Sequence, residues 1–399
     1  MVRREMASSG AEELDEILGG GIPRGAFFLV EGAPGTGKTV FCIQFAHAGI
    51  SSGERCLYVS SGQPEPLLLE QASLLGRDLS EGPGELRLTY IPPPISPEDA
   101  YEALMKIADE VDDFRPSRLI VDSIGSYLSL VKAERAVAML DRRILPLVRG
   151  EGVAAVLSLD PDSLSHRPEM LSHLRFSADG ILRLAETYEG GLARRMIIVK
   201  SRLAKAKRGF VDFVISPRWR GIKAIALPES IEEPGEMGVR RIGLEGLDEV
   251  LGGGVPEGCL MLVEGPMGSG KTVLALAMAV HAANSGMRTL VITYESSSGI
   301  VLSAVRRLGL SKGAPLEVLS LVPQALGPLE QFELLESLAE ERKPEVLILD
   351  GLTAVEQAVG PHGVTTLVRY LQAMARRRRM MVVGTRFSPG LEELSLIHI

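Results

Sequence analysis

The 399-residue chain has little cysteine, no surplus of positive charge and no long apolar run. Cys42, Cys56 and Cys259 stand far apart. Their spacing suits neither a disulfide framework nor a cysteine metal site, so all three are expected to be small core residues in a reducing cytoplasm. Lys and Arg number 43 against 51 Asp and Glu, a formal net charge of −8. That balance argues against coating nucleic acid by bulk charge, while a local basic lining stays compatible with it. No apolar stretch reaches membrane-spanning length, and the N-terminus lacks the apolar core of a signal peptide. A soluble, cytoplasmic protein with no membrane partner is therefore expected.

The composition is globular, 45% hydrophobic and 24% charged. The chain is too long for one core of ordinary size. Its organising feature is a repeat. Residues Leu14–Val40 and Leu247–Val273 align without a gap at an offset of 233, with 18 identities in 27 positions. Each copy carries a Gly triplet (Gly19–Gly21; Gly252–Gly254), an apolar strand and a Gly-rich loop ending Gly-Lys-Thr.

Both loops fit the phosphate-binding pattern G-x-x-x-x-G-K-[ST]. The first comprises Gly32, Ala33, Pro34, Gly35, Thr36, Gly37, Lys38 and Thr39; the second comprises Gly265, Pro266, Met267, Gly268, Ser269, Gly270, Lys271 and Thr272. Glycines let consecutive N–H groups converge on one anion, and the following helix aims its positive end at the same place. Lys38 and Lys271 are the expected bridges to the outer phosphates, and Thr39 and Thr272 the expected Mg²⁺ ligands. Arg118–Asp122 and Val346–Asp350 are apolar strands ending in an acid, the form of a Walker B segment. Asp122 and Asp350 are thus placed beside the loops, completing each metal site.

Along copy one, residues 1–13 read as a loose polar arm. Strands are expected over Ala26–Glu31, Arg55–Ser60, Leu86–Ile91, Arg118–Asp122 and Val153–Leu159, with helices between them. Ser96-Pro97-Glu98-Asp99 is a strong helix start. This alternation implies a mostly parallel, helix-covered sheet. Gly180–Ala185, Arg194–Lys200 and Phe210–Ser216 then read as three strands of an antiparallel extension, with a basic loop from Lys200 to Arg208. Pro228–Gly238 reads as a linker. Copy two repeats the order, with strands at Leu260–Glu264, Thr289–Tyr294, Val346–Asp350 and Met380–Gly384 and helices at Pro328–Arg342 and Val364–Arg379. The run Arg376–Arg379 reads as a solvated helix end. The expected fold class is α/β, with two tandem P-loop domains: residues 1–228, a linker at 229–242, and an incomplete second domain at 243–393. Residues 394–399 (Leu-Ser-Leu-Ile-His-Ile) are read as a non-native tail, and the second sheet is expected to have an unpaired edge.

The combination Leu-Asp-Glu-x-Leu-Gly-Gly-Gly-[Ile/Val]-Pro, then Val-Glu-Gly and the phosphate loop, resembles the KaiC branch of the RecA-like ATPases. It covers residues 10–220 and again 243–390. The resemblance implies a RecA-like core that uses ATP and Mg²⁺. It also implies a homo-oligomeric, usually hexameric, ring with ATP at the subunit interfaces, and an unidentified regulatory protein as partner. In such rings a Lys-x-Arg element reaches the neighbour's phosphates; Lys200 and Arg202 match it, with Leu203 where a glycine is usual.

The family usually places two glutamates after the second strand, as general base and helper. Copy one has Gly62 and Gln63 there; copy two has Glu295 and Ser296. An amide cannot take a proton from water. Copy one is therefore expected to bind ATP and turn it over slowly, with Glu65 as a partial substitute. Glu295 is the candidate base of copy two, acting with Lys271 as Lys38 acts in copy one. Clock-type relatives phosphorylate a Ser-Thr pair where copy one has Arg175 and Phe176. Copy two ends before that place, so an autokinase activity is left to a full-length form. The leading expectation is an ATP-hydrolysing switch in signalling or circadian-type regulation. The alternatives are a RecA- or DnaB-like DNA-dependent ATPase of recombination or repair, and a nucleotide-binding scaffold without turnover. The expected loops after Asp122 (Ser123–Val131) and Asp350 (Gly351–Gly363) are nearly uncharged, which speaks against a nucleic-acid partner.

Overall fold

The computed structural model describes residues 5–187, 193–202, 209–225, 238–323, 328–388 and 395–398. The chain divides into two compact units near residue 227. The expected linker is mostly outside the described residues. Val239–Arg240, at its end, pairs antiparallel with Val255–Pro256 inside the second unit.

Unit one holds a nine-stranded sheet. From one edge the order is Glu85–Tyr90, Arg55–Ser60, Arg118–Asp122, Ala154–Leu159, Phe27–Gly32, Gly180–Thr187, Ala193–Ser201, Phe210–Ser216 and Gly221–Ile225. The central strands are apolar along most of their length because both faces are covered. Alternation sorts them. Phe27, Leu29, Leu57, Val59, Leu119 and Val121 face one core with the helix Pro97–Phe114. Phe28, Val30, Cys56, Tyr58 and Ile120 face the other, with Phe41 and Phe45 of the helix Lys38–Ser51. The helix Pro97–Phe114 starts as its sequence requires, the Ser96 hydroxyl accepting from the Asp99 N–H at 3.1 Å. Its Ala100, Leu104, Ile107, Val111 and Phe114 form the buried stripe.

Four expectations change here. Gly180–Thr187 pairs parallel with Phe27–Gly32 and so continues the parallel sheet. The reason is the helix Pro168–Ser177, which makes the crossover before it. The antiparallel extension begins at Ala193–Ser201 and gains a further strand, Gly221–Ile225. Within the N-terminal arm, residues from Met6 on are docked: Met6–Ala7 pairs with Ile22–Pro23, and the Ser8 carbonyl accepts from Arg118 at 2.7 Å. Gly21 (φ +114) permits this pairing, since a Cβ there would lie 2.4 Å from the Ala7 carbonyl oxygen. Finally, Cys42 and Cys56 are buried, but Cys259 is only half-buried.

Unit two orders its strands Leu316–Ser320, Thr289–Thr293, Val346–Asp350, Met381–Phe387, Leu260–Gly265 and Ser395–His398. The first five are parallel. Ser395–His398 pairs antiparallel with Leu260–Gly265, so the edge expected to be bare is covered along Met261–Glu264. The stretch after Asp350 is helix from Leu352 to Arg378, broken only at Gly360, rather than a loop. Arg377 and Arg378 do not simply solvate its end: both bind the carboxylate of buried Glu336.

Candidate functional site

Each unit builds its phosphate loop at the end of its first long strand. In unit one the strand Phe27–Gly32 runs into the loop, and the helix Lys38–Ser51 begins at once. Gly37 takes a left-handed conformation (φ 104°) that turns the chain into the helix. The Lys38 ammonium folds back on the loop, donating to the carbonyls of Gly32 (2.7 Å) and Ala33 (2.8 Å). The Thr36 hydroxyl donates to Ala33 at 2.8 Å. Unit two repeats this closely. Gly270 has φ 90°, Lys271 donates to Gly265 (3.0 Å) and Pro266 (2.7 Å), and Ser269 donates to Pro266 at 2.9 Å. Pro34, Gly35, Gly268 and Met267 lie on the exposed tips.

The surroundings differ. In unit one the antiparallel extension reaches the last glycine of the loop: a Cβ on Gly37 would come within 2.5 Å of the Ile215 side chain. At Gly270 the same space is open. Burial lowers the pKa of Lys38, against the opposing pull of Asp160 and Asp122. Asp160 was not anticipated, although Val153–Leu159 is another apolar strand running into an acid.

The two Walker B carboxylates are held in different ways. In unit two Asp350 Oδ1 accepts from the Thr272 hydroxyl at 2.9 Å and from Thr385 at 2.8 Å. The expected threonine–aspartate pair is therefore assembled. In unit one Asp122 accepts instead from the Tyr58 phenol at 3.0 Å (Oδ2) and from Ser158 (Oδ1). Burial, reinforced by the Asp122 charge, pushes the Tyr58 pKa well up, so the phenol stays a donor. Tyr58 was read only as part of an apolar run. Ser158 and Thr385 hold the same place in matching strands, and a polar residue there was the missed signal.

Glu295 follows the strand Thr289–Thr293. Its entry is fixed by the Tyr294 N–H donating to the Asp350 carbonyl at 2.9 Å and the Ser296 N–H donating to the Thr293 hydroxyl at 3.1 Å. The carboxylate packs against Gly351: a Cβ built there would sit 2.9 Å from Glu295 Cδ. Unit one has the same turn, Ser61 N–H to the Asp122 carbonyl at 2.8 Å and Gln63 N–H to the Ser60 hydroxyl at 3.2 Å. At its apex stands Gly62, with nothing within 4 Å of an added Cβ.

Lys200 and Arg202 lie away from their own phosphate loop. Lys200 Nζ donates to the carbonyls of Arg175 and Phe176, both at 2.8 Å. Burial and then Arg202 lower its pKa. The Arg202 guanidinium lies 5.5 Å from the Phe176 ring centre. The rest of the basic loop, Leu203 to Arg208, is outside the described residues.

The donor sets fit a nucleotide with Mg²⁺. Among the described residues no group of three or more His, Cys, Asp or Glu could hold a metal alone. Mg²⁺ needs no such cage, since it takes one or two protein oxygens and completes its shell with phosphate and water. In unit two the contacting hydroxyl and carboxylate of Thr272 and Asp350 suit that need; in unit one Asp122 lies near Lys38 but bonds Tyr58 and Ser158.

A phosphate loop, a facing acid on the third strand of a parallel order and a helix-covered sheet define a P-loop NTPase of the RecA-like class, twice over. A family model described as ATPase: KaiC matches residues 7–229 and 240–315, and the chain belongs to that family. It is 25% identical to the circadian clock protein KaiC3 of Synechocystis sp., over 97% of this chain and 80% of that protein. It is 24% identical to the circadian clock oscillator protein KaiC of Synechococcus elongatus (94% and 75% covered). The KaiC of Acaryochloris marina matches at 24% (92% and 73%). No described helix is long and apolar enough to cross a membrane.

Proposed function

We propose that this KaiC-family protein is a slowly hydrolysing, nucleotide-dependent switch whose two ATP sites have divided their labour. The first holds ATP; the second turns it over. One contrast carries the reading: the two loops share the same lysine-to-carbonyl geometry, but at the turn after the second strand the second has the carboxylate of Glu295 against Gly351 where the first has Gly62. Glu295 acts as general base on the attacking water, and Lys271 stabilises the charge that develops on the transferred phosphoryl group. Thr272 and Asp350 hold Mg²⁺ there, as Thr39 and Asp122 do in the first site. The Gly32–Thr39 and Gly265–Thr272 backbones cradle the phosphates. In the ring, Lys200 and Arg202 of one subunit reach the first-site phosphates of the next. The switch acts on a regulatory protein rather than on nucleic acid, and no autokinase step is assigned to these residues.

The test uses single-loop variants of the whole chain. Lys271→Ala should abolish most turnover and leave one tight ATP per chain; Lys38→Ala should leave most turnover and lower the bound ATP. Light scattering should show ATP driving assembly. Equal turnover in the two variants would overturn the division of labour, and no change of mass with ATP would overturn the oligomeric switch.

A further inference from the structure

Glu31, at the root of the first phosphate loop, has no accessible surface. A buried carboxylate is tolerated only when paired. Arg175 forks onto it, with Nε 2.6 Å from Oε1 and a terminal nitrogen 2.9 Å from Oε2. Arg183 adds a contact at 3.2 Å. Such a bidentate fork fixes orientation as well as distance.

Arg175 is also where the basic element is moored. Its carbonyl and that of Phe176 receive the Lys200 ammonium, and Arg202 lies over the Phe176 ring. The Arg202 N–H donates to the Asp179 carbonyl at 2.8 Å. The Asp179 side chain in turn accepts from the Phe27 N–H at 3.1 Å, at the start of the strand that ends in Glu31 and Gly32. Strand, helix end and basic element thus form one closed ring of bonds. Among the described residues unit two has no counterpart: Glu264 is held by Arg386 at 3.2 Å, which sits on the strand Met381–Phe387 and forks onto Glu356 at 3.0 and 2.9 Å.

We infer that Arg175 is a positioning residue that couples the first phosphate loop to the Lys200–Arg202 element of the same subunit. The inference rests on the proposed action of that element on a neighbour. Gly32 follows Glu31 directly, and its carbonyl is one of the two that hold Lys38. ATP draws Lys38 off those carbonyls onto phosphate. The loop root then shifts, the fork carries the shift to the helix end, and the two carbonyls release Lys200. A filled first site thereby presents its own basic element to the next subunit.

The test uses the full chain in a Lys271→Ala background, so that only the first site responds. Glu31→Gln with Arg175→Met removes the fork without leaving a buried charge unpaired; Arg175→Lys is the milder variant if that pair fails to fold. Lys200→Ala with Arg202→Ala is the reference. ATP affinity is read at low chain concentration with a fluorescent analogue, assembly by sedimentation, and the state of residues 196–202 by hydrogen exchange. The fork variant should bind ATP within about threefold of the parent, yet need about tenfold more protein to assemble, as the reference does. Its ATP-induced gain of exchange at residues 196–202 should vanish. A fork variant that assembles within about twofold of the parent, while the reference is about tenfold weaker, overturns the coupling alone. A reference that assembles like the parent overturns the element's action on a neighbour, and the coupling with it.

Discussion

Glu295→Gln should leave ATP binding at the second site intact and cut its turnover by about 10²–10⁴-fold. The geometry explains why the loss falls on the chemical step. The Glu295 carboxylate leans on Gly351, one residue from Asp350, with Cδ 2.9 Å and Oε1 3.1 Å from where a Cβ would stand. Asp350 in turn is 2.9 Å from the Thr272 hydroxyl. The carboxylate is therefore next to the phosphate end of the site while still exposed to water. Glutamine keeps its shape and its contact with Gly351 and loses only the capacity to accept a proton. An exposed isosteric change should move stability by no more than about 0.5 kcal/mol, whereas a thousandfold loss of rate is about 4 kcal/mol of barrier. Phosphate release should be followed in a Lys38→Ala background, with ATP affinity measured in parallel. A rate within about threefold of the parent would refute the assignment of Glu295 as base.

The reciprocal change is Gly62→Glu. Gly62 is not in the left-handed region and has open space around an added Cβ, so a glutamate should fit; first-site turnover, measured in a Lys271→Ala background, should rise by about 10²-fold, and an unchanged rate would show that the site lacks more than a base. Arg118→Met should cost about 1.5–3 kcal/mol in denaturant unfolding, because Glu54 loses its bidentate partner at 2.9 Å and keeps Arg24 at 3.0 Å. Burial alone would raise the Glu54 pKa, but Arg118 and Arg24 hold it below the usual carboxylate value. A depressed carboxylate contributes stability above its unfolded pKa of about 4.3 and loses it as pH falls, so the gap between Glu54→Gln and the parent should close below about pH 4. Burial pushes the Cys56 thiol up to about 12 and Cys42 well up; at pH 8 a thiol reagent should label native protein only at half-buried Cys259, and prompt labelling of all three would contradict the packing of the first core.

Period and punctuation made the frame legible. The strands Arg55–Ser60, Arg118–Asp122 and Val346–Asp350 fall where their apolar runs end in polar residues, because a strand buried on both faces has no other way to read. The duplicated loop was legible because a phosphate cradle tolerates few backbones. What escaped was set by tertiary context. Gly180–Thr187 looks like its antiparallel neighbours, and only the helix Pro168–Ser177 tells it apart. That helix has mixed polar and apolar faces and two prolines nearby, so its period is weak. Tyr58 lies inside an apolar run, and nothing local says that its hydroxyl meets Asp122, a residue 64 positions away.

Two loops of one pattern need not mean two like sites, because what a phosphate loop does depends on the residues behind it. Asp122 has each carboxylate oxygen engaged by a different hydroxyl, one of them the phenol of a buried tyrosine. Asp350 receives both of its hydroxyls on one oxygen, and one of those hydroxyls is the loop threonine itself. Outer partners of this kind orient a metal's ligands and commonly change metal affinity by about 10–100-fold. The first site adds Asp160 near its lysine and Ile215 against Gly37, and has Gly62 where the second has Glu295. The second site has Glu295 packed against Gly351, open space at Gly270 and the direct threonine–aspartate contact. The proposed division between retention and reaction thus rests on the residues behind the loops, Tyr58, Ser158 and Ile215 in the first unit and Thr385 and Glu295 in the second.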